Sequence, residues 1–270
     1  MRGWGLLALV GVLAVSCTPS GPPQDRHVFV IVMENHAPDQ ALSGPFLAGL
    51  AAQYRSAANY HAIAHPSLPN YLAMTSGKTW GITDDSYHVL PSGEDLGSQL
   101  TAAGVSWKAY MEGFDRAAGC LDSPLPYDPG HNPFAFYGGQ CPSNIVPLTS
   151  LAPDLAGDTP RLSWITPDRC HDTHDCDVAA GDDWLRGQVG AITASEAWKS
   201  NGILFITYDE DDGSGDNRVV MLAIAPGVSH AVSTRAYNHY SFLATVEDLL
   251  GVGRLGQAAD AQPMTDLTIP

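Results

Sequence analysis

The sequence predicts an α/β protein built on an open, mostly parallel β-sheet with helices on both faces. Short apolar runs rich in valine and isoleucine alternate along the chain with amphipathic helical segments. These runs are apolar at nearly every position, as in parallel strands that are buried on both faces. The 270 residues contain one linker, near the N-terminus, so we expect a single large domain.

The individual elements follow from the same patterns. The first strand is predicted at residues 27–33, where the run HVFVIVM stops at Glu34. Further strands are predicted at residues 105–111, 161–167, 202–213 and 218–226. Helices are predicted at residues 44–57, 70–77, 93–104, 180–198 and 238–251. The fourth of these helices has Asp182 and Asp183 in its first turn, where the helix dipole favours acids. Residues 115–150 are dense in proline, glycine and asparagine and are predicted to form a loop.

Residues 1–16 have the pattern of a signal peptide, with Arg2 before an apolar stretch and small residues ahead of Cys17. The apolar stretch is too short to span a membrane with flanks. The ending LAVSC resembles a bacterial lipobox, which predicts that Cys17 is lipidated and becomes the new N-terminus. Ordinary cleavage a little further on is the alternative. Residues 17–26 are predicted to be a flexible tether, and residues 27–270 to be the folded domain.

Four cysteines remain besides Cys17, and an even number in an exported protein predicts two disulfides. Local pairing joins Cys120 to Cys141 and Cys170 to Cys176. A zinc site is the alternative, which the absence of any CxxC spacing disfavours.

The formal net charge of −16 makes nucleic acid and anionic membrane surfaces poor partners. We therefore expect no nucleic acid partner, and contact with a membrane only through the lipid anchor. Many of the carboxylates stand in tight clusters, which a generic soluble surface does not require, and this points to a cation.

Three predicted strands end in polar clusters, at Glu34-Asn35-His36, from Asp168 onward, and at residues 209–212. In open α/β sheets, ligands bind beyond the carboxyl ends of the strands. Neighbouring carboxylates repel one another and are most easily held together around a cation. The sequence therefore predicts a divalent metal site at this edge of the sheet. Oxygen ligands with some imidazole suit Ca²⁺, Mg²⁺, Mn²⁺, Fe or Zn²⁺ without choosing among them.

Each cluster also has a simpler interpretation. Residues 209–212 could be a solvated acidic turn, and residues 34–35 a helix cap. His171 and His174 could be surface residues beside a disulfide, and His239 a partner in a helix cap. We interpret five other histidines as ordinary, namely His27, His61, His88, His131 and His230. His65 is intermediate because it adjoins the serine motif described next.

The stretch HPSLPNYLAMTSG, residues 65–77, places Ser67 at the start of a predicted helix. Serine is a common helix cap, and a serine hydroxyl beside a metal is also a nucleophile. The two interpretations are compatible in position, because a helix N-terminus attracts the phosphate that such a nucleophile would attack.

Five motifs in order resemble the bacterial phosphoesterase family of secreted acid phosphatases and phospholipases C, within the alkaline-phosphatase-like superfamily. They are VIVMENH, HPSLPNYLAMTSG, DTHDC, ITYDEDDG and NHYSFLATVEDLLG, and the resemblance covers residues 27 to about 252. The resemblance is strongest to the small secreted acid phosphatase branch, some of whose members act on phosphatidylinositol 3-phosphate. It implies an alkaline-phosphatase-like fold.

The resemblance also implies roles for individual residues. It makes Ser67 the nucleophile, and Asp172 and His174 a pair that binds either the metal or the leaving group. The metal ligands it implies are Glu34, Asn35, Asp209, Glu210 and His239. We further predict that His65 is catalytic and that Asn70 and His171 bind substrate.

The sequence therefore predicts an exported, lipid-anchored and metal-dependent phosphomonoesterase that forms a phosphoserine on Ser67. Its substrate would be a small-molecule or lipid phosphate ester. One alternative is a phospholipase C or another phosphodiesterase. Another is a non-catalytic metal-bearing surface protein, since a fold alone does not secure a function.

Overall fold

The computed structural model describes residues 26–268, together with Met1. The predicted signal peptide, Cys17 and most of the predicted tether lie outside these residues, so their roles stay predictions. No helix in the described part of the chain is long and apolar enough to cross a membrane.

The described residues form an eight-stranded sheet and a separate two-stranded one. The strands are β1 (His27–Met33), β2 (Arg55–Ala57), β3 (Tyr60–His61), β4 (Trp107–Met111), β5 (Ile145–Pro147), β6 (Leu162–Thr166), β7 (Gly202–Tyr208), β8 (Met221–Ile224), β9 (Ala231–Ser233) and β10 (Tyr237–Asn238). The large sheet has the order β5-β4-β6-β1-β7-β8-β2-β9, and β3 pairs with β10. Strands β5, β4, β6, β1 and β7 are parallel, whereas β8 is antiparallel to both β7 and β2. The sheet is thus mostly parallel, as predicted.

Helices cover the sheet on both faces. They are α1 (Pro38–Ala41), α2 (Pro45–Gln53), α3 (Ser67–Ser76), α4 (Leu96–Ala102), α5 (Leu151–Ala156), α6 (Val178–Ala194), α7 (Glu196–Asn201), α8 (His239–Leu250) and α9 (Thr265–Thr268). One group packs around α3 and α8, and another around α6. Successive side chains of a strand point to opposite faces, and every side chain from Val28 to Met33 is buried. The central strand β1 is therefore covered on both sides.

The predicted helix at residues 44–57 is wrong at its C-terminal end. It stops at Gln53, and Tyr54 is extended. The next three residues form β2, which pairs with β8 on one side and β9 on the other. The backbone hydrogen bonds of the sheet thus override the helical pattern of the sequence.

The predicted role of Asp182 in the first turn of its own helix is also wrong. That helix, α6, begins at Val178, and Asp177 caps it. The Asp182 carboxylate instead accepts hydrogen bonds from the backbone N–H groups of Phe46 at 2.9 Å and Leu47 at 2.8 Å. It therefore caps α2, a different helix, and ties α2 to α6.

Both predicted disulfides are present. Cys120 is joined to Cys141, and Cys170 to Cys176. The first lies within the predicted loop at residues 115–150, which also contains β5. The second closes the segment that follows β6 and so fixes the polar residues at the end of that strand.

Candidate active site

Ser67 is the first residue of α3, and its hydroxyl lies among buried acids. The N-cap position belongs to Pro66, which makes no capping hydrogen bond. The Ser67 hydroxyl donates to Glu34 Oε2 at 3.0 Å and lies 3.4 Å from both Asn35 Oδ1 and Glu210 Oε1. A serine that only capped the helix would accept from an N–H of the first turn. The geometry therefore does not support the cap interpretation.

The polar residues meet because their strands are neighbours in the sheet. Met33, the last residue of β1, lies beside Tyr208, the last residue of β7. Glu34 and Asp209 thus leave the sheet side by side. On the other side of β1, a backbone hydrogen bond joins Glu34 to the segment after β6. The Glu34 N–H donates to the Asp172 carbonyl at 2.8 Å. The polar ends of three parallel strands converge as the sequence indicated.

Asn35 adopts a left-handed backbone conformation with φ of 49°, which asparagine tolerates better than most residues. In this conformation its N–H donates to Asp209 Oδ1 at 3.2 Å, while its side-chain oxygen lies near Ser67. The other carboxylate oxygen, Asp209 Oδ2, is buried and has no hydrogen-bond partner among the described residues. A buried acceptor without a donor is costly, and a bound cation would satisfy it.

The ionisation of these carboxylates is strongly perturbed. Burial, followed by the negative charge of Asp209, raises the pKa of Glu34 well above its ordinary value. The same two causes raise the pKa of Glu210 to about 9, and burial raises that of Asp209 to about 6. The carboxylates thus resist being charged together unless a positive charge joins them. The set of oxygens, three carboxylates with an amide and a hydroxyl, fits a hard divalent cation.

Sequence reasoning missed two residues of the site, Tyr71 and His131. The Tyr71 hydroxyl donates to Glu34 Oε1 at 2.6 Å. His131 is buried and stacks on the Tyr71 ring, with 5.4 Å between centroids. Its Nε2 lies 3.5 Å from Glu34 Oε1 and its Nδ1 3.1 Å from Asp172 Oδ2. The prediction that His131 is an ordinary histidine is therefore wrong.

The charge of His131 follows from these contacts. Burial alone would lower its pKa, but the charge of Glu34 and the contact with Asp172 outweigh burial and raise the pKa to about 10. His131 is therefore a buried cation between two acids. Glu34, His131 and Asp172 also have ligand atoms within 4.8 Å of one another, but a metal ion there would require His131 to lose its proton.

Of the predicted pair in the DTHDC motif, Asp172 lies inside the site and His174 at its edge. The Asp172 carboxylate accepts from the His174 N–H at 2.7 Å. The His174 ring is partly exposed, with its Nδ1 2.7 Å from Asp175 Oδ1 and its centroid 5.9 Å from that of His131. Both predicted residues are thus linked to the site, but Asp172 is the one that contacts its buried groups.

We predicted that His171 binds substrate, but the structure places it outside this group of buried residues. Its Nδ1 lies 3.0 Å from Glu112 Oε2 and 3.4 Å from Asp168 Oδ1, and its ring stacks on Trp184. The same carboxylate oxygens accept backbone N–H groups of residues 168, 170 and 171. The contacts of His171 with these acids thus belong to the network that shapes the segment after β6.

His239, predicted to be a metal ligand, has both ring nitrogens engaged by the chain. Burial lowers its pKa to about 4, so the ring is neutral and one nitrogen donates while the other accepts. Nε2 lies 2.6 Å from the Asp209 carbonyl oxygen and Nδ1 2.8 Å from the Tyr60 hydroxyl. This geometry does not fit metal binding, because both ring nitrogens are already used. Nε2 donates to the carbonyl, and Nδ1 accepts from the hydroxyl. His239 instead holds the backbone of Asp209 in place.

Asn70 and His65 both adjoin the turn before Ser67 and both contact Glu210, whose Oε2 accepts from Asn70 Nδ2 at 3.3 Å. Asn70 is fully buried, and its amide bonds to the backbone of Ile63, Ala64 and Pro66. It thus shapes the turn before Ser67, and a substrate-binding role does not fit an amide engaged in this way. His65 is partly exposed, with Nδ1 2.8 Å from Glu210 Oε2.

The acidic run after β7 divides into two parts. Asp209 and Glu210 are in the site, as described. Asp211 accepts from the N–H groups of Gly213 and Asn217, and so builds the turn that follows. The interpretation as a solvated acidic turn therefore fits Asp212 alone, because Asp211 is buried and Asp212 is exposed.

Residues 32–253 match the model of the Phosphoesterase family, and the chain belongs to that family. This confirms the resemblance seen in the motifs and the prediction of a phosphoric ester hydrolase. The chain is 31% identical to a phosphatidylinositol-3-phosphatase of Mycobacterium tuberculosis, over 98% of this chain and 95% of that protein. It is 28% identical to a phosphate-repressible acid phosphatase of Penicillium chrysogenum, over 84% of this chain and 59% of that protein.

Solved structures share the fold, and one of them is named as a member of the alkaline phosphatase superfamily. A protein of the alkaline phosphatase superfamily from Vibrio parahaemolyticus superposes with a TM-score of 0.61 at 14% identity, covering 86% of this chain and 69% of that one. A phosphonate monoester hydrolase of Agrobacterium radiobacter superposes with a TM-score of 0.60 at 12% identity, covering 90% and 77%. The predicted alkaline-phosphatase-like fold is thus confirmed.

Proposed function

We propose that the protein is an exported, metal-dependent phosphomonoesterase in which Ser67 is the nucleophile. One observation carries the proposal, namely the position of the Ser67 hydroxyl at a helix N-terminus, 3.0 to 3.4 Å from oxygens of Glu34, Asn35 and Glu210. A helix N-terminus attracts phosphate, and a hydroxyl among metal-binding oxygens is one that a metal can activate.

Four residues would hold the metal ion: Glu34, Asn35, Asp209 and Glu210. The unpartnered oxygen of Asp209 and the raised carboxylate pKa values support this assignment. When bound, a divalent ion would lower the pKa of a serine hydroxyl and neutralise phosphate oxygens. The oxygen-only set favours Mg²⁺, Ca²⁺ or Mn²⁺ over the softer ions.

The chain's own residues position the reacting groups. Ser67 Oγ, oriented by the hydrogen bond from its hydroxyl to Glu34 Oε2, attacks phosphorus as its proton passes to solvent. Tyr71 and His131 hold the other oxygen of Glu34, so Oε2 stays turned to the serine. The new P–O bond forms as the ester P–O bond breaks, and the leaving alkoxide takes a proton. We assign that proton to His174 at the edge of the site, and water then hydrolyses the phosphoserine.

The substrate class follows from the family and its named members. Relatives named acid phosphatases and a phosphatidylinositol-3-phosphatase support phosphate monoesters, including those of phosphoinositides, as substrates. Two disulfides support an oxidising, extracytoplasmic location, in line with the predicted signal peptide and lipidation at Cys17.

Hydrolysis of p-nitrophenyl phosphate by the protein and its Ser67→Ala variant tests the proposal, with chelation followed by single divalent ions. A matched control is Ser76→Ala, because Ser76 ends the same helix and its hydroxyl donates to the Leu72 carbonyl. We expect metal-dependent turnover that falls by orders of magnitude in Ser67→Ala and persists in Ser76→Ala.

Equal turnover in all three proteins would remove Ser67 from the chemistry. A wide preference for bis-p-nitrophenyl phosphate would instead identify a phosphodiesterase. Absence of turnover on every ester with each metal supplied would favour the non-catalytic alternative.

A further inference from the structure

The start of α3 offers few free N–H groups to a phosphate. The first turn of a helix normally presents four unsatisfied N–H groups, but Pro66 and Pro69 have none. Ser67 and Leu68 therefore carry the only N–H groups of this first turn that the helix itself leaves without a backbone acceptor. A phosphate group attached to Ser67 would lie beside the N–H of the next residue, Leu68.

That donor is already engaged by a carboxylate of the chain. The Leu68 N–H donates to Asp85 Oδ1 at 2.9 Å. Asp85 belongs to an exposed stretch, since residues 83–87 are all exposed. The stretch follows two residues with left-handed backbone, Trp80 with φ of 58° and Gly81 with φ of 70°. Little packing holds the carboxylate against the helix, so its contact with Leu68 is what fixes it there.

We propose that Asp85 is an internal competitor for phosphate, which occupies the Leu68 N–H in the resting enzyme and leaves it when a phosphate group reaches Ser67. The proposal rests on the phosphatase function above. A carboxylate and a phosphate cannot share one N–H, and their like charges repel at this distance. Asp85 therefore weakens the binding of both substrate and released inorganic phosphate. Its benefit is faster release of a product that the helix N-terminus would otherwise retain.

The test compares Asp85→Asn and Asp85→Ala with Asp84→Asn as a matched control. Asp84 is exposed and loses the same charge, but its carboxylate contacts Ser86 and His88 and makes no contact with α3. Two quantities are measured on each protein with the divalent ion supplied. One is the inhibition constant of inorganic phosphate against p-nitrophenyl phosphate hydrolysis, and the other is the rise in Tm with inorganic phosphate.

Both Asp85 variants are expected to bind phosphate about threefold to tenfold more tightly, which corresponds to about 0.7–1.4 kcal/mol. The alanine variant should show the larger effect, because an asparagine oxygen can still accept from Leu68. KM should fall with the inhibition constant, and Asp84→Asn should match the unaltered protein. Unchanged or weaker phosphate binding in both Asp85 variants would overturn the proposal. So would a loss of kcat with phosphate binding unchanged, since Asp85 would then act in the chemistry.

The Tm measurement needs no turnover, so the two proposals can fail separately. Tighter phosphate binding without turnover in any of the proteins would sustain the role of Asp85 while the phosphatase function fails. Turnover with no gain in phosphate binding would sustain the function and overturn the role of Asp85.

Discussion

The substitution Tyr71→Phe tests how the site holds its first carboxylate. It removes one hydroxyl, which donates to Glu34 Oε1 at 2.6 Å. Both side chains are fully buried, so no bulk water can replace the lost donor. The phenylalanine ring keeps the stacking on His131. The change therefore withdraws a single hydrogen bond from the charged form of Glu34.

The size of the effect follows from the kind of bond. A hydrogen bond to a charged group contributes about 1.5–3 kcal/mol. Tyr71 lowers the otherwise raised pKa of Glu34, so its loss favours the protonated carboxyl. Under the proposed function a metal ion binds this carboxylate, so the proton would become a stronger competitor for it. We expect metal affinity to fall by about tenfold to a hundredfold, since 1.4 kcal/mol is a factor of ten.

The assay is a metal titration at pH 5 and at pH 8. Turnover and Tm are measured at each metal concentration. The weakening should be greater at pH 5, where the proton competes best. Tyr110→Phe is the control, because its hydroxyl also donates to a carboxylate, Asp154 Oδ2 at 2.7 Å, outside the site. It should lose stability without a change in the metal titration. Equal half-activating metal concentrations for Tyr71→Phe and the unaltered protein would refute the reasoning.

Two further predictions concern stability. The pKa of Glu210, about 9, lies above its ordinary value of 4.5, so between these values the folded metal-free protein binds a proton that the unfolded chain releases. The contribution of Glu210 to stability must then fall as pH rises. We therefore expect the Tm of the chelated protein to drop between pH 5 and pH 8.5 by more than the Tm of Glu210→Gln does. Parallel curves of Tm against pH for the two proteins would contradict this. Asp182→Ala removes the acceptor for the N–H groups of Phe46 and Leu47 and should cost about 1–2 kcal/mol in urea denaturation, with turnover retained. Asp183→Ala, an exposed neighbour, should cost little, and an equal loss in both would argue against the cap.

The sequence predicts the architecture and the convergence of acids because both depend on local signals. A strand buried on both faces is apolar along its whole length, and β1 and β7 show this directly. Parallel strands end at one edge of the sheet, so Glu34 and Asp209 could be placed together before any coordinates were known. The helix start at Ser67 could be predicted for the same reason, because the first residues of a helix have their own sequence preferences.

The remaining features depend on contacts between distant parts of the chain. Tyr71 follows Ser67 by four residues and so lies on the same face of α3, a signal that could have placed it in the site. His131 has no such signal, because it ends a short 3₁₀ helix, Pro129–His131, that lies 97 residues from Glu34 in sequence. The surroundings of His239 were unpredictable for a related reason: the sequence around a histidine is the same whether its ring binds an ion or holds the backbone of a neighbouring acid. Only its partners, Tyr60 and the Asp209 carbonyl, distinguish the two.

The charges of the site explain why its chemistry and its stability are linked. Four acids, Glu34, Asp172, Asp209 and Glu210, are buried together with one cation, His131. Burying like charges is unfavourable, and the raised pKa values of three of the acids show that protons relieve it in the metal-free protein. A divalent ion would relieve the same repulsion while leaving the carboxylates ionised. Metal binding should therefore stabilise the fold most at neutral and higher pH, where protons no longer do so.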